Sequence, residues 1–276
     1  PKFEQLLDGR EHGSVTFLDK NGEKFAWRGI QFDNSLRSEL ASRSLVNAII
    51  AVEDRRFFNH FGISIRGILG AIRINLREGR GPFQGHGGST ITQQVAKLLC
   101  MMQRNKIEVE CRRHSIARKI LELPFSIALE LKFSKAEILS LYMNRVYLGA
   151  NAVGFEAAAQ RYFDKPATDV NLAESAMLAG LLTAPTRYAP HRHLGLAKKR
   201  ASVVLDLMTD QELISLEQAD AAKKNPANLK SNAKGTLGAH FADWVMFNAP
   251  RHLTRNTTED ILIKTTFDPS VQNVVE

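Results

Sequence analysis

Two acidic stretches on either side of a turn rich in glycine and hydroxyl side chains could carry chemistry in this chain. The first contains Glu53 and Asp54, the turn covers residues 87–94, and the second ends at Glu122. A free carboxylate can take the proton of an acceptor hydroxyl, and amide dipoles or cations can absorb the charge of a departing phosphate. This arrangement is what an enzyme that moves a sugar off a phosphate would need, although each piece alone is a weak signal.

The first acidic pair is predicted to stand at the end of a helix. Before it, apolar residues recur at helical spacing, and these are Leu45, Ala48, Ile49 and Val52. Gly62 then breaks the pattern. A carboxylate at a helix end beside a glycine break can face a cleft, which makes Glu53 the candidate base. Taken alone, the pair is more typical of a solvated helix terminus.

The turn is predicted to begin a second helix, because Ser89 or Thr90 can cap its free N–H groups. A glycine turn at a helix N-terminus offers unpaired N–H groups to an anion. Gln93 and Gln94 add neutral donors, and Lys97 follows one helical turn later. These residues are candidates for binding a phosphate, although an ordinary capped helix has the same pattern.

The second acidic stretch is also predicted to be helical, from about Ser115. Arg118 and Glu122 are four residues apart and therefore share a helix face, with Lys119 beside them. A surface ion pair is the alternative interpretation. Pro124 is predicted to kink or interrupt this helix, because proline removes a donor and clashes with the preceding turn.

The remaining pattern is mainly helical, with a short β-hairpin near the N-terminus. The hairpin covers residues 14–32 and turns at Asn21-Gly22. Residues 63–77 form a basic, apolar-rich helix, for which a core-packing helix with arginines on its wet side is favoured over a membrane interface. Further helices are predicted at 172–183, 195–208 and 211–223, and one after Ser134, which forms a capping box with Glu137. The composition around 225–240 is typical of a linker, which predicts domains at 1–230 and 231–276.

Composition narrows the possible partners. The 276 residues, 44% of them hydrophobic, suit an ordinary folded protein, and a net charge of +8 favours polyanionic partners. Two cysteines, Cys100 and Cys111, make neither a disulfide framework nor a zinc pattern, and two free thiols are favoured over a bridge. No apolar run is long enough to cross a membrane. Because the chain begins at Pro1 rather than Met, we expect that a membrane anchor has been removed.

Three patterns occur together, and in order they are Glu53-Asp54-x-x-Phe57-x-x-His60-x-Gly62, Gly88-Ser89-Thr90-Ile91-Thr92-Gln93-Gln94 and Arg118-Lys119-x-x-Glu122. This arrangement resembles the peptidoglycan glycosyltransferases (glycosyltransferase family 51), the N-terminal polymerase domain of class A bifunctional penicillin-binding proteins. The resemblance spans roughly residues 14–224. Segments 137–163 and 172–190 resemble further motifs of the family, and there we expect packing rather than chemistry.

The resemblance implies roles for the matching residues. Glu53 would be the general base, Asp54 would support it, and Phe57 and His60 would shape the site. The donor pyrophosphate would be held by Arg118 and Lys119, and Glu122 would position it or bind a divalent cation, Mg or Mn. No organic cofactor is expected. The full set of substrate-binding positions is Asp54, Phe57, His60, Ser89, Thr90, Gln93, Gln94, Lys97, Arg118 and Lys119.

The resemblance also implies a fold, a substrate and a location. We expect a lysozyme-like helical lobe and a smaller membrane-facing jaw lobe. The substrate would be lipid II, joined to a growing glycan chain by inverting β-1,4 transfer with undecaprenyl pyrophosphate as the leaving group. The place would be the outer face of the bacterial cytoplasmic membrane. Residues 231–276 resemble the start of a transpeptidase region, and the transpeptidase domain itself is absent from this chain.

Two other functions stay open at this point. A muramidase or lytic transglycosylase would need a protonated acid for a poor leaving group, and would not need Arg118 and Lys119. A non-enzymatic binder of anionic lipid or nucleic acid would suit the positive charge. Nucleic acid is not expected, because aromatic residues are not interleaved with the basic cluster at 104–119.

Overall fold

The computed structural model describes residues 3–7, 14–28, 35–82, 84, 88–101, 116–229, 238–248 and 260–275. The strands are β1 Val15–Leu18, β2 Lys24–Arg28 and β3 Ile261–Lys264. The helices are α1 Phe3–Leu7, α2 Arg43–Glu53, α3 Ile65–Arg77, α4 Ile91–Met101, α5 Ile116–Lys132, α6 Lys135–Arg145, α7 Phe155–Phe163, α8 Leu172–Leu181, α9 Pro190–Asp210, α10 Leu216–Lys224, α11 Ala239–Asn248 and α12 Pro269–Val275. The predicted mainly helical fold with a small hairpin is confirmed.

A three-stranded sheet with the order β2-β1-β3 joins the two ends of the chain. The antiparallel β1–β2 hairpin turns where predicted, at Gly22, whose φ of +88° suits a residue without a Cβ. β3 runs parallel to β1, with Val15 opposite Ile261. Strands from both sides of the predicted boundary at 230 therefore share one sheet, while residues 230–237 lie outside the described part, and the boundary itself stays a prediction.

The main helical core is centred on α8. Every residue from 173 to 181 is buried, because this helix is rich in Ala, Leu and Met, and only Glu174 and Ser175 interrupt its apolar surface. α8 packs against both α2 and α9, and α9 also packs against α2. The helix that ends at Glu53 is thus held on two sides.

A second group of helices, α4, α5 and α6, packs together beside this core. The predicted capping box at the start of α6 is present, since Glu137 N donates to Ser134 Oγ at 3.2 Å and Ser134 N donates to Glu137 Oε2 at 2.8 Å. Of the kink or interruption predicted at Pro124, the interruption is wrong, because α5 continues through the proline, and the kink stays a prediction. Just beyond the proline, Ser126 and Leu129 are buried, and this packing outweighs the loss of one backbone hydrogen bond.

Cys100, in the last turn of α4, belongs to a disulfide. The favoured interpretation of two free thiols is therefore wrong. The sequence contains one other cysteine, Cys111, which lies outside the described residues. Spacing could not decide this question, because a bridge depends on the distance between two Cα atoms in the fold.

Helix α3 carries its apolar side chains on the outside. Of its thirteen residues, all of them described, only Asn75 is buried. Its large apolar residues are exposed at Ile65, Leu69, Ile74 and Leu76, with Leu69 at 61%. The core-packing interpretation of residues 63–77 is therefore wrong. Among the described residues, no helix is long and apolar enough to span a bilayer.

Candidate active site

Glu53 is the last residue of α2, and two neighbouring helices orient its carboxylate. Gln94 of α4 donates from Nε2 to Glu53 Oε2 at 2.6 Å. The Oε1 atom of the same amide accepts from the hydroxyl of Tyr142, on α6, at 3.5 Å. The predicted position of Glu53 at a helix end is confirmed, and its side chain is half-buried.

Burial raises the pKa of Glu53 above its ordinary value. The hydrogen bond from Gln94 and the positive charge of Arg200 act in the opposite direction, and the negative charge of Asp54 adds to the increase. Burial and the charge of Glu53 also raise the pKa of Tyr142, which therefore stays a neutral phenol. A carboxylate with a raised pKa is a stronger base than an exposed one, as proton abstraction from a hydroxyl requires.

Asp54 follows Glu53 directly in the chain, but its carboxylate has a structural role. Its carboxylate is buried and accepts from His60 Nε2 at 2.9 Å and from the backbone N–H of Ile91 at 3.1 Å. Ile91 is the first residue of α4, where a negative charge is favourable. Asp54 and His60 thus fasten the start of α4 to the end of α2, which places Gln94 beside Glu53.

The start of α4 is closed by a reciprocal cap, as predicted for Thr90. Its backbone N–H donates to Gln93 Oε1 at 2.9 Å, and the N–H of Gln93 donates to Thr90 Oγ1 at 3.1 Å. Thr90 Oγ1 also donates to the carbonyl of Gly62 at 2.6 Å. These oxygens are engaged in holding the helix, while Ser89 and Lys97 are half-buried on the same segment.

Two glycines allow close contact around this turn. A Cβ on Gly88 would lie 2.6 Å from the Cα of Ile68, so the turn presses against the backbone of α3. Gly62 has a φ of +74°, and a Cβ there would lie 3.1 Å from the carbonyl oxygen of Ser126 on α5. Any larger side chain at either position would force the neighbouring helix to move.

An ionic cluster packs around Phe57, which belongs to the pattern that begins at Glu53. The ring of Phe57 is fully buried, with the Nζ of Lys135 4.6 Å from its centroid. Lys135 pairs with Glu130 at 2.6 Å, and Thr92 Oγ1 donates to the same Glu130 oxygen at 2.6 Å. The sequence did not predict that Lys135, Glu130 and Thr92 contribute here, because the contacts of Lys135 with Phe57 and of Thr92 with Glu130 join residues far apart in the chain, and no sequence spacing indicates them.

The second acidic stretch lies on α5, which packs against α4. Glu122 is half-buried on this helix. The side chains of Arg118 and Lys119 lie outside the described part of the structure. Within the part that is described, no group of three or more His, Cys, Asp or Glu residues could hold a metal ion. The roles of these three residues therefore stay predictions.

Comparison with known proteins identifies the family. A family model described as transglycosylase matches residues 29–209. The chain is similar to penicillin-binding protein 1A of Aquifex aeolicus, with 37% identity over 227 residues, covering 82% of this chain and 30% of that protein. Against the same protein of Streptococcus oralis, identity is 37% over 213 residues, covering 77% and 32%. The chain belongs to the transglycosylase family.

A solved structure shows the same fold. Penicillin-binding protein 1A of Haemophilus influenzae aligns with a TM-score of 0.51 at 20% identity, covering 94% of this chain and 27% of that one. The chain thus spans about a third of the length of the relatives it matches. The enzyme class predicted from the sequence, a glycosyltransferase of peptidoglycan synthesis, is confirmed by the family match.

Proposed function

We propose that this chain polymerises lipid II into glycan strands by inverting β-1,4 transfer, with undecaprenyl pyrophosphate as the leaving group. The observation that carries the proposal is Glu53, half-buried, with a raised pKa and fixed by Gln94 at the start of α4. Family membership supports the reaction class.

Glu53 is the proposed general base. Because Gln94 engages Oε2, Oε1 is the oxygen expected to accept the proton of the glucosaminyl 4-hydroxyl. As that proton leaves, the hydroxyl oxygen bonds to the muramyl anomeric carbon, and the bond from that carbon to the phosphate oxygen breaks. Attack from the side opposite to the phosphate inverts the configuration and gives the β linkage. The pyrophosphate departs with the electron pair.

The leaving group would be bound between the start of α4 and α5. Arg118 and Lys119 are proposed to hold the pyrophosphate, with Ser89 and Lys97 supplying further donors. Glu122 would position this group or bind Mg or Mn. A single carboxylate together with substrate phosphates is a usual donor set for Mg, so the residues suit such an ion, which would neutralise phosphate charge.

The membrane surface is the proposed partner of α3 and its neighbours. Large apolar residues are exposed on α3, on the loop before it and on α5, and these include Phe58, Phe61, Ile65, Leu69, Phe125 and Leu131. The loop and α5 touch at Gly62. Exposed arginines accompany them on α3, at Arg66, Arg73 and Arg77. Apolar and basic residues on one helix suit the interface of an anionic membrane, and we propose that this region is the jaw lobe beside a lysozyme-like lobe, on the outer face of the cytoplasmic membrane.

Polymerisation of labelled lipid II by the native chain and by Glu53→Gln tests the proposal. We expect polymer from the native chain and a loss of about 100-fold or more in the variant, the usual contribution of a general base. Binding of lipid II should persist. Glu217→Gln is the matched control, because Glu217 is exposed on α10. Each protein is assayed with and without Mg and Mn.

Two outcomes would contradict the proposal. Full turnover by Glu53→Gln would show that another group is the base. Cleavage of finished peptidoglycan by the native chain, without polymer from lipid II, would favour a lytic enzyme instead.

A further inference from the structure

Tyr142, on α6, is fully buried although its side chain ends in a polar hydroxyl. It lies in the segment 137–163, where the sequence predicted packing rather than chemistry. The hydroxyl of a buried tyrosine usually has a hydrogen-bond partner. Among the described residues, that partner is Oε1 of Gln94, on α4, at 3.5 Å. Phenylalanine would fill the same space where α6 packs against α4, so packing alone does not account for the hydroxyl.

The Tyr142 hydroxyl contacts the side chain that holds the candidate base. The amide of Gln94 has a donor at Nε2 and an acceptor at Oε1. Nε2 donates to Glu53 Oε2 at 2.6 Å, and Oε1 accepts from Tyr142. An amide turned the other way would place Oε1 against the carboxylate, and both of those oxygens are acceptors. The amide is thus bound at both ends, between α2 and α6.

Tyr142 is suited to remain the donor in this contact. Burial and the charge of Glu53 raise the pKa of its hydroxyl well above the ordinary value, so the hydroxyl keeps its proton at neutral pH. The contact is long for a hydroxyl and an oxygen, and contacts of this kind often shorten only when the substrate binds. The backbone of α4 is held separately, by the bond from the N–H of Ile91 to Asp54. Asp54 therefore places the helix, and Tyr142 is left to orient the Gln94 side chain.

We propose that Tyr142 is a positioning residue that acts on the general base through Gln94; this rests on the proposed function. With the amide held at both ends, Oε2 of Glu53 stays engaged and Oε1 stays available for the acceptor proton. During transfer that proton moves to Glu53, while Tyr142 and Gln94 keep theirs. Without the hydroxyl, Oε1 of Gln94 loses its partner. The amide and the carboxylate then turn more freely, which lowers the fraction of time spent in the reactive orientation.

A role in the core alone is the competing explanation. It would make Tyr142 important for stability, with any effect on turnover arising from a loosened fold. The two explanations differ in one respect, because a core role does not depend on which side chain stands at position 94. If Tyr142 acts through Gln94, its effect on turnover disappears when the amide is removed.

The test is a cycle of four proteins, namely the native chain, Tyr142→Phe, Gln94→Met and the double variant. The kcat and KM of lipid II polymerisation are measured for each, and urea unfolding confirms that each is folded. We expect Tyr142→Phe to lower kcat roughly 3- to 10-fold, the equivalent of one net hydrogen bond, with KM unchanged. In the Gln94→Met background, Tyr142→Phe should cause no further loss, since residues that act as a unit are not additive.

Tyr162→Phe is the matched control. Tyr162 is also fully buried, and its hydroxyl donates to the carbonyl oxygen of Leu148 at 3.0 Å rather than to Gln94. We expect this variant to lose some stability and to keep the native kcat. If turnover of Gln94→Met is too slow to measure, the comparison of Tyr142→Phe with Tyr162→Phe decides.

Four results would overturn the proposal. They are a native kcat in Tyr142→Phe, an equal loss of kcat in Tyr162→Phe, the same loss from Tyr142→Phe in both backgrounds at position 94, and a Tyr142→Phe chain that does not fold. The last would assign the hydroxyl to stability. Failure of the native chain to polymerise lipid II would instead overturn the proposed function.

Discussion

Helices α8 and α3 contain similar apolar side chains but use them in opposite ways. The residues of α8 from 173 to 181 are all buried, between α2 and α9. In α3, Ile65, Leu69 and Leu76 are more than half exposed. Apolar content therefore does not decide burial by itself, since a helix is buried only where neighbouring helices cover it.

The difference in burial between α8 and α3 corresponds to two different roles. The α8 core fixes α2, and with it the position of Glu53. The α3 helix contributes little to the core and presents apolar and basic residues instead. An exposed apolar surface of this kind is typical of an interaction site. Matched substitutions in the two regions test whether one supplies stability and the other a surface.

The largest expected difference in stability is between two Leu→Ala substitutions, one on each helix. Leu178, on α8, is fully buried, so Leu178→Ala should lower the free energy of unfolding by about 2–5 kcal/mol, through lost burial and a cavity. Leu69→Ala should change it by less than about 0.5 kcal/mol. Urea unfolding measures both. Equal losses would show that α3 is part of the stabilising core. Binding to anionic vesicles should weaken in Leu69→Ala.

A smaller difference in stability is expected between two Gly→Ala substitutions. In Gly88→Ala the new Cβ would meet the backbone of Ile68 at 2.6 Å, and the helix must move, at a cost of about 1–3 kcal/mol. Gly70→Ala lies on the same helix with nothing within 4 Å, and should stabilise α3 by about 0.5–1 kcal/mol. Thermal unfolding separates the two variants. A stabilised Gly88→Ala would mean that the turn does not press on α3.

Local patterns in the sequence predicted the elements well. The hairpin turn at Asn21-Gly22, the end of α2 at Glu53 and the capping box at Ser134 all depend on a few neighbouring residues, and all three are present in the structure. The sequence left open whether the helix would kink at Pro124 or stop there, and in the structure α5 continues through it. That outcome depends on packing beyond the proline, which local propensity does not contain.

The contacts of the candidate site were predictable only in part. The order of the motifs predicted that Glu53 and Gln94 belong to one site, and in the structure the two side chains form a hydrogen bond. Lys135 reaches Phe57 from 78 positions away in the chain. Such contacts depend on how helices cross, and no single-sequence spacing records them.

The smallest expected difference in stability is between Glu53→Gln and Glu78→Gln. The pKa of Glu53 is raised above its ordinary value of 4.5, chiefly by burial. The folded protein therefore holds this proton more tightly than the unfolded chain. Its favourable contribution is complete below pH 4.5 and is lost as the pH rises through the folded pKa. Glutamine resembles the protonated form, so Glu53→Gln should equal the native chain at low pH and exceed its stability at neutral pH.

Glu78→Gln provides the matched change at the exposed end of α3. Glu78 pairs with Arg80 at 2.9 Å, and both side chains are exposed. Exposed pairs contribute about 0–1 kcal/mol, so this variant should be no more stable than the native chain at neutral pH. Urea unfolding at pH 3.5, 5 and 7 measures the comparison, with these pH values spaced roughly around carboxyl titration. A stability gain in Glu53→Gln that grows with pH, together with its lost turnover, would show that the buried charge is kept for catalysis at the expense of stability. A stability gain in Glu53→Gln that is equal at every pH would instead be due to packing. It would contradict the interpretation of Glu53 as a desolvated base.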